Sequence, residues 1–170
     1  MADLQKAGVP IIQVDEAAFK EGYPLRAANR PVYEAAAVNC FRLTVAPAQA
    51  ATQIHTHMCY SQFDDIMPAI EAMDADVISI ETARGGNKLL EAFETHGYTK
   101  EIGPGIYDIH SPRVPSEAEQ ENEIRKRLEV LPADRMWINP DCGLKTRKWP
   151  ETEAALKNMV AATKTVRQSL

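Results

Sequence analysis

The chain has 170 residues, 45% of them hydrophobic and 25% charged, with a formal net charge of −5. That length suits one domain with a proper core, and the acidic balance excludes a general nucleic-acid binder, which needs basic excess to neutralise phosphates. No apolar run is long enough to span a bilayer and no apolar signal core opens the chain, so the expected compartment is the cytoplasm.

In chain order, Ala2 to Gly8 reads as the last turns of a helix stopped by glycine. Val9 to Val14 is a β-branched run ending in Asp15-Glu16. Pro24 and Pro31 frame a loop, and a helix carrying Cys40 is expected from about Val32 to Thr44. Thr52 to His57 is the second strand. Phe63 to Met73 is helical in pattern, with Asp64-Asp65 toward its N-terminus, where the helix dipole favours anions. Asp76 to Glu81 is a third strand, followed by a helix from Asn87 to His96 stopped by Gly97. Ile102 to Ile109 is a glycine-punctuated fourth strand running into His110. Ser116 is the expected N-cap of the next helix, with Glu119 at the capping-box position, and that helix runs to about Val130. Arg135 to Asn139 is a fifth strand leading into Pro140-Asp141-Cys142-Gly143. The last helix runs from Pro150, at a favoured first position, to about Arg167.

Strand and helix thus alternate five times, without an internal linker or low-complexity segment. Alternation at this spacing predicts βαβ units and a parallel sheet. A (β/α) barrel and an open doubly wound sheet both satisfy it. No GxGxxG follows a strand, which counts against the dinucleotide-binding form of the latter.

Chemistry in such folds gathers at the carboxyl ends of the strands. Here those ends carry Asp15-Glu16, His57-x-Cys59, Glu81, Asp108 with His110, and Asp141-Cys142. An imidazole and a thiolate two residues apart on extended chain point to the same side. Zinc takes mixed nitrogen and sulfur ligands, so it is the natural candidate ion. The three cysteines, Cys40, Cys59 and Cys142, form no disulfide-framework spacing and are expected as free thiols or metal ligands. Cys40 on its helix reads as an ordinary thiol, and His55 as a packing residue or one lying behind the ligands. His96 reads as a solvated cation at a helix end, and Lys145, Arg147 and Lys148 as surface charge near the active end.

The stretches QIHTHMCYSQFDDIM, DADVISIET, EIGPGIYDIHSPRVPS and WINPDCGLKTRKWPET resemble the C-terminal part of the catalytic domain of cobalamin-independent methionine synthase. IIQVDEAAFKEGYPLR resembles the preceding strand and loop. The resemblance implies an α/β fold, a (β/α)8 TIM-type barrel of which the last five units are present. It implies a catalytic Zn2+ held by His57, Cys59, Glu81 and Cys142, with His110 as proton donor. It further implies that Asp15 holds the amino group of homocysteine and that Glu21 faces the folate. The implied reaction moves a methyl group from 5-methyltetrahydrofolate polyglutamate to homocysteine sulfur, giving methionine. A methylcorrinoid donor and an inactive zinc-binding remnant are the alternatives. Ala17 stands where the family has proline, which loosens the loop carrying Glu21, and Gly85-Gly86 stand where a more polar pair is expected. A whole barrel of this kind takes ~250 residues, so the chain is expected to be the zinc-bearing portion of a longer enzyme. Its expected partners, besides the substrates, are the rest of that enzyme or a second copy paired through exposed sheet edges.

Overall fold

The computed structural model describes residues 1–59 and 62–170; Tyr60 and Ser61, part of the motif around Cys59, lie outside the described residues. Short β-branched runs and longer amphipathic ones alternate along it, as expected. The elements are α1 (Ala2–Lys6), β1 (Ile11–Gln13), α2 (Arg30–Val45), β2 (Gln53–Met58), α3 (Met67–Met73), β3 (Val77–Ile80), α4 (Lys88–His96), β4 (Glu101–Pro104), α5 (Glu117–Leu128) and α6 (Trp149–Arg167). Among the described residues, no helix is long and apolar enough to cross a membrane.

The strands form one four-stranded sheet in the order β1-β2-β3-β4. β1 and β2 run parallel, with Ile11 opposite Gln53, Ile12 opposite Ile54 and Gln13 opposite His55. A doubly wound sheet reverses its strand order at a switch point, whereas the strands of a barrel follow one another in sequence order. Here the order follows the chain without reversal, which is the barrel arrangement.

The fifth strand differs from expectation. Residues 135–139 lie parallel to β4, but their ladder is reduced to two bridges, Ile102 with Met136 and Gly105 with Asn139. Between them the Asn139 side chain folds over Gly103, where a Cβ would lie 2.2 Å from its Oδ1. β4 is also shorter than its pattern suggested. Asp108 Oδ1 accepts from the His110 backbone N–H at 2.9 Å, and Ser111 N–H donates to the Asp108 carbonyl at 3.2 Å. That Asx-type turn takes the chain out of the sheet, so His110 sits on a turn and not on a strand. Helix α3 begins at Met67 because Pro68 sits at a favoured first-turn position and the preceding residues turn instead, Ile66 N–H donating to Phe63 O at 2.9 Å. Asp64 and Asp65 therefore precede the helix, and Asp65 pairs with Lys20.

By its contacts the chain divides into two units, residues Met1–Ile78 with Ala92–Glu101, and Ser79–Glu91 with Ile102–Leu170. The core of the first is aromatic as well as aliphatic: Phe63 packs on Phe93 at 5.1 Å between ring centroids, and Phe93 on Tyr98 at 5.3 Å. Such tilted and edge-on pairs add to what area burial alone supplies. In the second unit, α6 buries Thr152, Ala155, Met159, Ala162 and Val166, a spacing of three and four that puts them on one helix face. Met159, Ala162 and Val166 pack with Ile106 and Ile124, and each fully buried large apolar side chain contributes about 1.5–3 kcal/mol.

Helix α5 begins as its sequence requires. Ser116 Oγ accepts from Glu119 N–H at 3.3 Å, and Glu119 Oε2 accepts from Ser116 N–H at 2.8 Å, closing a capping box. Arg113 Nη1 adds contacts of 2.7 and 2.8 Å to the same carboxylate. The Ser116 backbone N–H, then Arg113, hold the Glu119 carboxyl down to about 2 from its ordinary 4.5. A depressed carboxyl contributes stability that is present above the unfolded value and lost as pH falls through the folded one. Glu119→Gln is therefore expected to flatten the fall of stability between pH 4.5 and about 2. Urea unfolding at a series of acid pH values measures it, and parallel curves for wild type and variant would refute the assignment.

Candidate metal centre

β2 is buried along nearly its whole length, as expected for a strand covered on both faces. His55, Thr56, His57, Met58 and Cys59 are each 9% exposed or less. The pairing of β1 with β2 continues past the strand itself: Val14 N–H donates to His55 O at 2.9 Å and Glu16 N–H to His57 O at 3.0 Å. That continuation carries Asp15-Glu16 to the level of His57. Asp15 is exposed, its Oδ1 accepting from Gln13 Nε2 at 2.8 Å. Glu21 is exposed on the turn that follows Phe19. Burial pushes the Glu16 carboxyl up.

His55 Nε2 lies 3.2 Å from Gln53 Oε1. Burial pushes its imidazole below the usual 6.5, against the opposing pull of the Glu101 and Asp76 carboxylates. It is a packed histidine, as expected. His96 Nε2, at the end of α4, lies 3.1 Å from Glu71 Oε2, so the expected solvated cation has a carboxylate beside it.

Glu81 follows β3 directly; the residue is half-buried and its Oε1 is buried. The next two residues are held by a side chain from further along: Asp141 Oδ1 accepts from Thr82 N–H at 3.0 Å and Ala83 N–H at 2.9 Å. Burial pushes the Asp141 carboxyl up to about 6; the two amides oppose that shift, and the Glu81 and Asp108 carboxylates add to it. Cys142, next in the chain, is half-buried against the cluster of Tyr107, Ile109 and Ala155. His110 is exposed on its turn beside Asp108, whose carboxyl is lowered: burial opposes the shift, and the Arg84 guanidinium and the His110 N–H outweigh it. Of the basic cluster, Arg147 lies 3.8 Å from Glu151.

His57, Cys59 and Cys142 each offer a ligand atom, and these atoms all lie within 4.8 Å of one another. They are three of the four ligands that the family resemblance implies; Glu81 is not in the group. Cys40 is exposed on α2, outside it. Tetrahedral zinc, with bonds near 2.0–2.3 Å, separates its ligand atoms by roughly 3.3–3.8 Å. One imidazole and two thiols, gathered within 4.8 Å of one another, are a donor set of the kind zinc takes.

Residues 1–165 match the family model described as the catalytic domain of cobalamin-independent synthase. This chain belongs to that family. It is 64% identical over 168 residues to the 5-methyltetrahydropteroyltriglutamate–homocysteine methyltransferase of Desulforamulus reducens, covering 99% of this chain and 22% of that protein. The enzymes of the same name from Aeromonas salmonicida and Paraburkholderia xenovorans are 59% and 57% identical, each over the whole chain and 22% of the relative. The chain thus spans about a fifth of the length of the curated relatives it matches. Among solved structures, a Shewanella B12-independent methionine synthase in complex with selenomethionine superposes with a TM-score of 0.80 at 21% identity, over 99% of this chain and 51% of that one. That likeness establishes the fold, a portion of a TIM-type barrel.

Membership of the cobalamin-independent synthase family leaves Asp141, Thr82 and Arg127 as structural surprises. The sequence marked Asp141 only as one more carboxylate at a strand end. Nothing local marked Arg127, which is 1% exposed on α5 and donates to the Thr82 carbonyl at 3.0 Å.

Cys142→Ser is expected to weaken zinc binding strongly, because an alcohol would replace one of the two thiols of the donor group. Cys40→Ser is expected to leave it unchanged. Titration of the purified chains against a chromophoric chelator compares them, and equal zinc uptake by wild type and Cys142→Ser would overturn the ligand assignment.

Proposed function

We propose that this chain carries the zinc-binding part of a catalytic domain that transfers a methyl group from 5-methyltetrahydropteroylglutamate to the sulfur of homocysteine. The observation that carries the reading is the His57, Cys59 and Cys142 donor group, in a chain 64% identical to an enzyme named for that reaction.

Homocysteine must react as a thiolate, yet a free thiol with a pKa near 8.5 is mostly protonated at neutral pH. Zinc supplies the missing acidity, lowering the pKa of the substrate thiol as it does that of water. His57, Cys59 and Cys142 hold the ion, and their two thiolates keep the site electron-rich. Glu81, directly after β3 and with a buried oxygen, would complete the set as a fourth ligand. A hard carboxylate among softer donors is the weakest partner for zinc in such a set.

The methyl donor has a poor leaving group, an amine nitrogen that would depart as an anion. His110 protonates it. Its exposed turn leaves the ring accessible to a substrate, and imidazole is the side chain whose ordinary pKa suits proton transfer near neutrality. Asp15, brought to the level of His57 by the β1–β2 pairing, receives the homocysteine ammonium, and Glu21 faces the folate.

The chain loaded with Co2+ in place of Zn2+ tests the reading. L-homocysteine is expected to intensify the sulfur-to-metal charge-transfer absorption and to release a proton on binding, while L-homoserine does neither. Identical spectra with the thiol and the alcohol would overturn it.

A further inference from the structure

The turn after β3 is held on both sides. On one side its two amides, Thr82 N–H and Ala83 N–H, converge on a single oxygen, Asp141 Oδ1, at 3.0 and 2.9 Å. On the other side, Arg127 Nη2 donates to the Thr82 carbonyl at 3.0 Å, and Nη1 of the same guanidinium donates to Asn87 Oδ1 at 3.2 Å. The Thr82 hydroxyl donates to Gly105 O at 2.8 Å. Thr82, Arg127 and Asp141 are each 4% exposed or less. Asp141 can reach the two amides only because residue 105 is glycine: a Cβ there would lie 2.0 Å from Oδ1 and 2.6 Å from the Asp141 Cα. The backbone beneath is fixed too, with Asp141 N–H donating to Tyr107 O at 2.9 Å.

A buried carboxylate is costly unless it is well hydrogen-bonded, and this one spends an oxygen on two peptide groups that any acceptor could have satisfied. Its neighbours along the chain give the arrangement a purpose. Thr82 is bonded covalently to Glu81, and Asp141 to Cys142. We infer that Asp141 is a positioning residue for the metal centre, its carboxylate clamping the turn that starts at Glu81 to the turn that carries Cys142. The inference rests on the zinc reading above. The clamp sets the separation of a carboxylate ligand and a thiolate ligand before any ion arrives, so less ordering remains to be done on binding. Groups behind metal ligands have this effect elsewhere, and their removal lowers metal affinity roughly ten- to a hundredfold.

The test compares wild type with Asp141→Ala and Asp141→Asn. Zinc affinity is measured by chelator competition, ligand geometry by the visible spectrum of the Co2+-loaded protein, and fold by circular dichroism without metal. Asp141→Ala is expected to bind zinc roughly ten- to a hundredfold more weakly and to shift the cobalt ligand-field bands while its metal-free dichroism is unchanged. Asp141→Asn keeps an acceptor oxygen at the same place and is expected to stay near wild type. A purely structural role would change unfolding and leave the cobalt spectrum of the folded protein alone. Wild-type affinity and spectrum in Asp141→Ala, or an equal loss in Asp141→Asn, overturns the proposal.

Should Asp141→Ala fail to fold, amide exchange in metal-free wild type decides: slow exchange at Thr82 and Ala83 supports a preformed clamp, and loop-like exchange overturns it. Failure of wild type itself to take up zinc or cobalt strikes the zinc reading instead, and the amide exchange then judges the clamp alone.

Discussion

Parallel ladders space their hydrogen bonds evenly, and in this chain they continue past the last regular residue of each strand. Glu16 N–H reaches His57 O, Gly105 N–H reaches Ile80 O at 2.9 Å, and Asp141 N–H reaches Tyr107 O. Each of these bonds ties a residue beside a candidate site group to the neighbouring strand. A strand end in such a sheet is therefore a measured position, and the chemistry there inherits the register of the backbone. Glycine at 103 and 105 is part of the same constraint, since Asn139 and Asp141 lie where side chains at those positions would be.

Electrostatics around the site follows from burial. His55, two residues before His57, is held toward its neutral form by desolvation. Asp141 is raised to about 6 by the same cause, even with two amides on its oxygen. Charged pairs elsewhere, such as Arg113 with Glu119 at the start of α5, sit in water and serve the helix end.

Some of the architecture was legible because it is local. The capping box at Ser116, the glycine stop after α4, and the proline in the first turn of α6 depend on residues a few positions apart, and each stands where the pattern put it. The start of α3 and the end of β4 depart from the pattern for an equally local reason. A hydrophobic period says nothing about the turns at Phe63–Ile66 and Asp108–Ser111, where hydrogen bonds take the chain out of its expected element. The fifth strand, reduced to two bridges, was beyond any periodicity, because a ladder also depends on what the partner strand presents.

The sequence alone determined the alternation of strands and helices, the family, and which donors share one strand, since side chains two apart on extended chain face the same way. It also placed Cys142 and Glu81 at strand ends. Only the tertiary structure decided that Cys142 joins His57 and Cys59 within 4.8 Å while Cys40 does not. It alone brought Asp141 and Arg127 onto the two sides of Thr82. The physical reason is the same in both cases. Contacts between residues far apart in sequence are set by strand register and helix packing, which arise from the whole chain folding at once and leave no mark in the spacing of any one segment.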